Sequence, residues 1–204
     1  MSYRDAMIRT LATLVFLFTA WSASAADGIK TWSEPVADSA ISWSIVEATI
    51  DAPASMVWGI VSSCNDYPRS MPSIAKAREL SREGDPSSSF TTVCEVTADL
   101  PFPMSDLTSV SKAVHTVEID KRYVRRWQMI RGDYEFNEGS WTVAATSPTQ
   151  TLATYRIRVR PKTPVPDSLL GTFQASMLPK IIAQLRGRVR ELRASESTAA
   201  SVAP

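Results

Sequence analysis

The chain has 204 residues, 44% of them hydrophobic, with 22 Lys and Arg against 21 Asp and Glu and a single histidine. That length holds one domain with a real core and is short for two. The formal net charge of +1 gives no basic excess to neutralise phosphates, which excludes a nucleic-acid surface of the usual electrostatic kind. Six Trp, six Phe and five Tyr on a balanced charge background exclude a disordered chain.

Residues 1–25 read as an export signal. Arg4 and Arg9 make a positive start, diluted by Asp5. An uncharged run from Thr10 to Ala26 follows, and Ala23-Ser24-Ala25 is the small-x-small pattern that signal peptidase reads. The alternative is an uncleaved anchor, but this run rises only about 25 Å as a helix, short of the ~20 residues a span needs. Cleavage would send the remainder to a periplasm or to the outside. In such an oxidising compartment Cys64 and Cys94 are expected to pair as a disulfide; two buried free thiols are the alternative.

Residues 26–40 carry few apolar positions and read as a lead-in. The stretch 41–50 alternates as a strand. Asp51-Ala52-Pro53 then opens a helix over about 53–63, with Met56, Val57, Ile60 and Val61 on its apolar face, and Tyr67 to Pro72 stops it. From Ile74 the period becomes two. Strands are predicted over 74–81, 90–99, 105–119, 122–131, 139–146 and 151–160, and their short connections imply an antiparallel meander. On the last of them Tyr155, Ile157 and Val159 share one face, and Arg156, Arg158 and Arg160 the other.

A Pro-rich connector (161–166) leads to a long amphipathic helix, capped by Asp167 and running to about Arg193. Its apolar stripe is Leu170, Phe173, Met177, Ile181, Leu185, Val189 and Leu192. Pro179 predicts a kink or break near residues 175–177. Residues 194–204, rich in Ala and Ser, are expected to be a disordered tail.

This α+β order resembles the START-like (SRPBCC) superfamily, which includes START lipid-transfer domains, coenzyme-Q-binding proteins, birch-pollen-allergen-like proteins and polyketide cyclase/dehydrase proteins. The matching stretches are Ala48 to Trp58 with Asp66-Tyr67-Pro68 behind them, then Gly132 to Trp141 with Tyr155 and the 161–166 connector, and last the closing helix. Together they cover about residues 41–193. The resemblance implies a helix-grip fold, a curved antiparallel seven-stranded sheet wrapped on the C-terminal helix. It also implies an elongated apolar cavity between the two and a hydrophobic ligand inside it; some branches of the superfamily are enzymes.

Sequence patterns for catalysis are missing. One histidine permits no His-rich metal cluster, and no G-x-S-x-G, Gly-rich phosphate loop, H-E-x-x-H or CxxC occurs. Neither cofactor nor metal is expected. His115, in a strand, reads as a half-buried structural residue. The candidate ligand-binding residues are Tyr67 and Met71 after the first helix, and Phe102 and Met104 in an apolar tip at 100–104. Arg125, Trp127, Met129, Trp141 and Tyr155 join them from the strands, and Phe173 and Met177 from the long helix. An ordinary packed core is the competing reading of these side chains. Arg125 points inward if Trp127 does and then needs an anionic partner, from the protein or from a ligand. The opposite register would put Val124, Gln128 and Ile130 inside. Phe102 is expected to gate the cavity mouth.

Three functions remain in play. The favoured one is an exported, monomeric carrier of a hydrophobic small molecule or lipid, making transient membrane contact. A cyclase/aromatase-type enzyme would need Arg125, His115 and Tyr155 as its polar trio. A protein-interaction module would use the Arg156, Arg158 and Arg160 face.

Overall fold

A computed structural model describes residues 28–100 and 105–202, so the expected signal segment and the tip residues Phe102 and Met104 lie outside the described residues. Eight strands form one antiparallel sheet: β1 (Ile29–Val36), β2 (Ser39–Ile50), β3 (Ile74–Asp85), β4 (Ser89–Ala98), β5 (Leu107–Glu118), β6 (Arg122–Gly132), β7 (Tyr134–Ser147) and β8 (Gln150–Pro161). Their spatial order is β1-β2-β8-β7-β6-β5-β4-β3. The six strands from β3 to β8 are a meander, as their alternation predicts. The segment between β2 and β3 holds α1 (Ala54–Ser62), a 3-10 turn at Cys64–Asp66 and α2 (Tyr67–Ser70), and it carries the chain from one side of the sheet to the other edge. The long helix α3 (Asp167–Val202) then packs back against β2, α1 and α2.

Three expectations are corrected. The lead-in contains a strand, β1, which makes eight strands instead of seven; it is an edge strand, and all its residues are at least partly exposed, so burial imposes no alternation on its sequence. The tail expected to be disordered continues α3 to Val202. Its Ala and Glu residues favour helix, and Ser195, Ser197 and Thr198 donate back to the carbonyls of Leu192, Arg193 and Ala194. Pro179 lies within one continuous helix, so of the expected kink or break, the break does not occur. Both Pro179 and Ala175, whose carbonyl loses its partner, are on the exposed side, where water can take the orphaned acceptor.

The sheet register explains where the molecule is solid. Val46, Tyr155, Trp141, Arg125, His115 and Phe90 form one continuous row across β2, β8, β7, β6, β5 and β4. On one side of this row Tyr123, Val143, Ala153 and Ala48 pack against Val57, Ile60 and Val61 of α1 and Ile182 and Leu185 of α3 in one buried cluster. On the other side the sheet and helix diverge.

Candidate functional site

That divergence leaves a cavity of about 330 Å³ between the sheet, α2 and the N-terminal half of α3, within the ~300–1,000 Å³ range of small-molecule sites. Tyr155, Ile157 and Val159 of β8 line it, the alternating face read from sequence. Of the candidate residues, Tyr67, Met71, Arg125, Trp127, Trp141, Tyr155, Phe173 and Met177 all border this space. Met129 does not border it. It keeps the half-buried face of Trp127 and pairs with Ser111, which does border the cavity, but it stands at the bulge where β5 and β6 shift register and Val110 faces Arg131, beyond the stretch of β6 that walls the space. Phe173 lies on the cavity but is 37% exposed, at the rim. The register question is resolved for Arg125 and Trp127, which both face inward, while Gln128 and Ile130 are exposed; Val124 is nonetheless buried.

Trp127 owes its position to a neighbour. Gly139 sits opposite it on β7, and a Cβ there would collide with the indole ring and with the Arg156 carbonyl. The bare backbone lets the ring lie flat across the strand, stacked on Tyr155 with centroids 5.6 Å apart. The indole N–H donates to Asn137 Oδ1 at 3.1 Å, so the polar edge is satisfied and the apolar face is left to the cavity. Gln174 was missed in the sequence because it interrupts the apolar stripe. It is buried, donates to the Val159 carbonyl at 3.1 Å and accepts from Ser44 at 3.5 Å, tying the helix to β8 and β2 beside the cavity.

The expected disulfide is present. Cys64 and Cys94 are bonded, with Cα atoms 6.4 Å apart, and Cys94 borders the cavity. Among the described residues one group, Cys64, Glu79 and Cys94, has metal-ligand proximity, but both sulfurs are committed to the bond. Tyr67 packs on the disulfide and donates its hydroxyl to the Val61 carbonyl at 3.1 Å.

Charge inside the site belongs to Arg125. It is 4% exposed, with its guanidinium carbon 5.1 Å from the Trp127 ring centroid and 5.4 Å from that of Tyr67. Burial holds the Tyr67 and Tyr155 hydroxyls above the usual phenol range, with Arg125 pulling the other way; burial likewise pushes Tyr134 up to about 12. All three phenols are therefore protonated donors near neutrality. His115 is wholly buried beside this site and not on it. Its ring stacks on Phe90 at 4.0 Å, and Nε2 shares a hydrogen bond with Thr92 Oγ1 at 2.9 Å. Burial pushes its pKa down to about 3, with Arg125 and Arg82 adding to the effect. The expectation of a half-buried histidine is thus corrected to a fully buried, neutral one.

The outer face of β8 offers no free basic row. Arg156 pairs with Glu34 at 3.0 Å, Arg158 with Glu138 at 2.6 Å and Arg160 with Asp167 at 2.7 Å, and Arg156 also lies over Trp43.

A sheet gripping one long helix, with an apolar hollow held between them, is the helix-grip architecture of START-like proteins. Residues 50–186 match the family model described as polyketide cyclase/dehydrase and lipid transport, and the chain belongs to that family, within the START-like superfamily. No curated protein matches the sequence significantly. Among solved structures, a STAR-related lipid transfer protein fragment from Xanthomonas axonopodis is similar at 18% identity and TM-score 0.69, over 82% of this chain and 97% of that one. Human StAR-related lipid transfer protein 5 is similar at 11% identity and TM-score 0.70, over 82% and 84%. An aromatase/cyclase from a Streptomyces species is similar at 14% identity and TM-score 0.50, over 74% and 94%. At these identities the structural likenesses establish the fold.

Proposed function

We propose that this protein is an exported binding or transfer protein for a hydrophobic, lipid-like small molecule carried between sheet and helix. The observation that supports it most is the cavity itself, which is bordered by aromatic and aliphatic side chains with polar groups at a few positions. Burial of apolar ligand area, about 25 cal/mol per Å², supplies affinity without any catalytic group. Export follows from the N-terminal signal pattern and would place such a carrier where an insoluble molecule needs one. The mouth is proposed at the rim formed by Leu100, Leu169 and Phe173.

The cyclase alternative draws on the family's breadth and on Arg125 and Tyr155 bordering one cavity. Its third candidate, His115, is held by Thr92 and Phe90 away from the cavity wall, which favours the carrier. Native mass spectrometry of protein purified from its own compartment, with organic extraction, tests the reading. The expected result is a chain starting at Ala26 that carries one hydrophobic adduct. An empty protein that also takes up no fluorescent lipid would overturn it.

A further inference from the structure

Among the described residues, Arg125 is the one buried charge in the cavity with no counter-charge. Arginine stays ionised at every physiological pH, and taking its charge out of water costs several kcal/mol unless an anion or a full set of acceptors replaces the water. Neither is present among the described residues. No Asp or Glu pairs with Arg125, none of its nitrogens has a hydrogen-bond acceptor, and its buried Nε is without any partner. The rings of Tyr67 and Trp127 offset only part of the cost at more than 5 Å. Other inner-wall groups are satisfied within the protein: the Tyr67 hydroxyl by Val61, the Trp127 indole by Asn137, and Gln174 by Val159 and Ser44. Tyr155, in the same row across the sheet as Arg125, keeps a hydroxyl without a protein partner.

Position adds direction. Arg125, Trp141 and Tyr155 stand on the last row before the packed half of the core, so they form the closed end. Tyr134 and Pro161, six residues further along β8 from Tyr155 and paired with each other, lie toward the rim. An extended strand covers about 20 Å over that interval. The space is apolar, with a volume of about 330 Å³ and a cation at its inner end.

We infer that the ligand is a single-chain anionic amphiphile, bound head-inward, with a carboxylate or phosphate head on the Arg125 guanidinium and its chain running toward Phe173. This rests on the cavity holding an apolar ligand at all. A neutral lipid of equal length would fill the same walls and leave the guanidinium unpaired, so the structure selects for the anion and against the alcohol.

The test is titration of the purified protein with dodecanoate, dodecyl phosphate, dodecanol, dodecyltrimethylammonium and inorganic phosphate alone, followed by calorimetry and by the fluorescence of Trp127 and Trp141. Dodecanoate and dodecyl phosphate should bind at least about tenfold more tightly than dodecanol, with the trimethylammonium compound weakest and inorganic phosphate below detection. Arg125→Met should collapse the anion-over-alcohol ratio to within about twofold, and Arg125→Lys should keep most of it. If Arg125→Met fails to fold by circular dichroism, the wild-type series and Arg125→Lys decide. Equal wild-type affinity for dodecanoate and dodecanol overturns the head-inward assignment and leaves the carrier reading standing. Inorganic phosphate binding as tightly as dodecyl phosphate overturns it in favour of a free-anion site. Failure of every amphiphile to bind refutes the carrier reading and this inference with it.

Discussion

At the scale of single residues, the row across the sheet joins two basic side chains that respond to burial in opposite ways. Arg125 cannot give up its proton and stays charged; one strand away His115 is neutral, because burial and the nearby guanidinium both disfavour a second cation. The neutral ring is then free to stack on Phe90 and meet Trp58 edge-on. This arrangement has a measurable cost in acid. The unfolded chain takes up a proton at His115 below its ordinary pKa of 6.5, whereas the folded chain resists until about pH 3. The unfolded state therefore binds the extra proton, and stability falls as pH drops through that window. Between neutrality and about pH 5 the loss from this group alone should be about 2 kcal/mol. Urea unfolding of the wild type and of His115→Gln at both pH values isolates it, because every other titrating group is common to the two. Equal pH slopes would mean that His115 is as easily protonated in the fold as out of it.

At the scale of elements, the segment between β2 and β3 buries α1 in the core and then forms one wall of the cavity through Tyr67, Met71 and Pro72. Two cross-links hold it. The Cys64–Cys94 disulfide ties the 3-10 turn to β4, and Arg188 reaches from α3 to both oxygens of Asp66 at 2.9 Å. With the cysteines 30 positions apart, the chain-entropy model assigns the disulfide about 3.6 kcal/mol. Replacing both cysteines by alanine should lower unfolding stability by that amount, and reduction of the wild type should lower it equally. A loss under about 1 kcal/mol would mean that the Arg188–Asp66 pair and the Tyr67–Val61 hydrogen bond already constrain the segment. The cysteine pairing was open in the sequence, because spacing carries no information on whether two Cβ atoms meet. The strands of the meander were legible because each buries one face, which imposes period two on their residues. β1 escaped because an edge strand with both faces wet has no such constraint. Helix α3 was legible as a stripe, yet the stripe read from sequence includes the rim residue Phe173 and omits Gln174, Leu178 and Ile182, all of which are buried. A helix that grips a hollow buries a different arc at each end, and an average period cannot record that. Gly139 gave no signal by itself; its meaning depends on Trp127, twelve residues away in sequence and opposite in the sheet.

At the scale of the whole molecule, the core is solid at one end and hollow at the other. Around Tyr123, Val143 and Ala153 the sheet, α1 and the middle of α3 close on one another in a single buried cluster. Toward Pro161, Leu107 and the first turns of α3 the same sheet and helix face a cavity, so these parts lack neighbouring atoms on one side and have fewer contacts to break on opening. Amide exchange should follow this division. In ligand-free protein the amides of β6, β7 and β8 around the Tyr123, Val143 and Ala153 row should exchange only by global unfolding. Those around Val159, around Ser109 and along 170–174 should exchange faster, through local opening. A ligand that binds the closed form suppresses that opening by mass action, so saturating dodecanoate should slow the second group strongly and leave the first group tied to global stability. Uniform protection in the ligand-free protein would mean that the hollow half closes on itself in solution. A uniform rise on adding ligand would place the bound molecule against the solid half instead, and the inner row of Arg125, Trp141 and Tyr155 would then be the seam between two packed layers and not the closed end of a cavity.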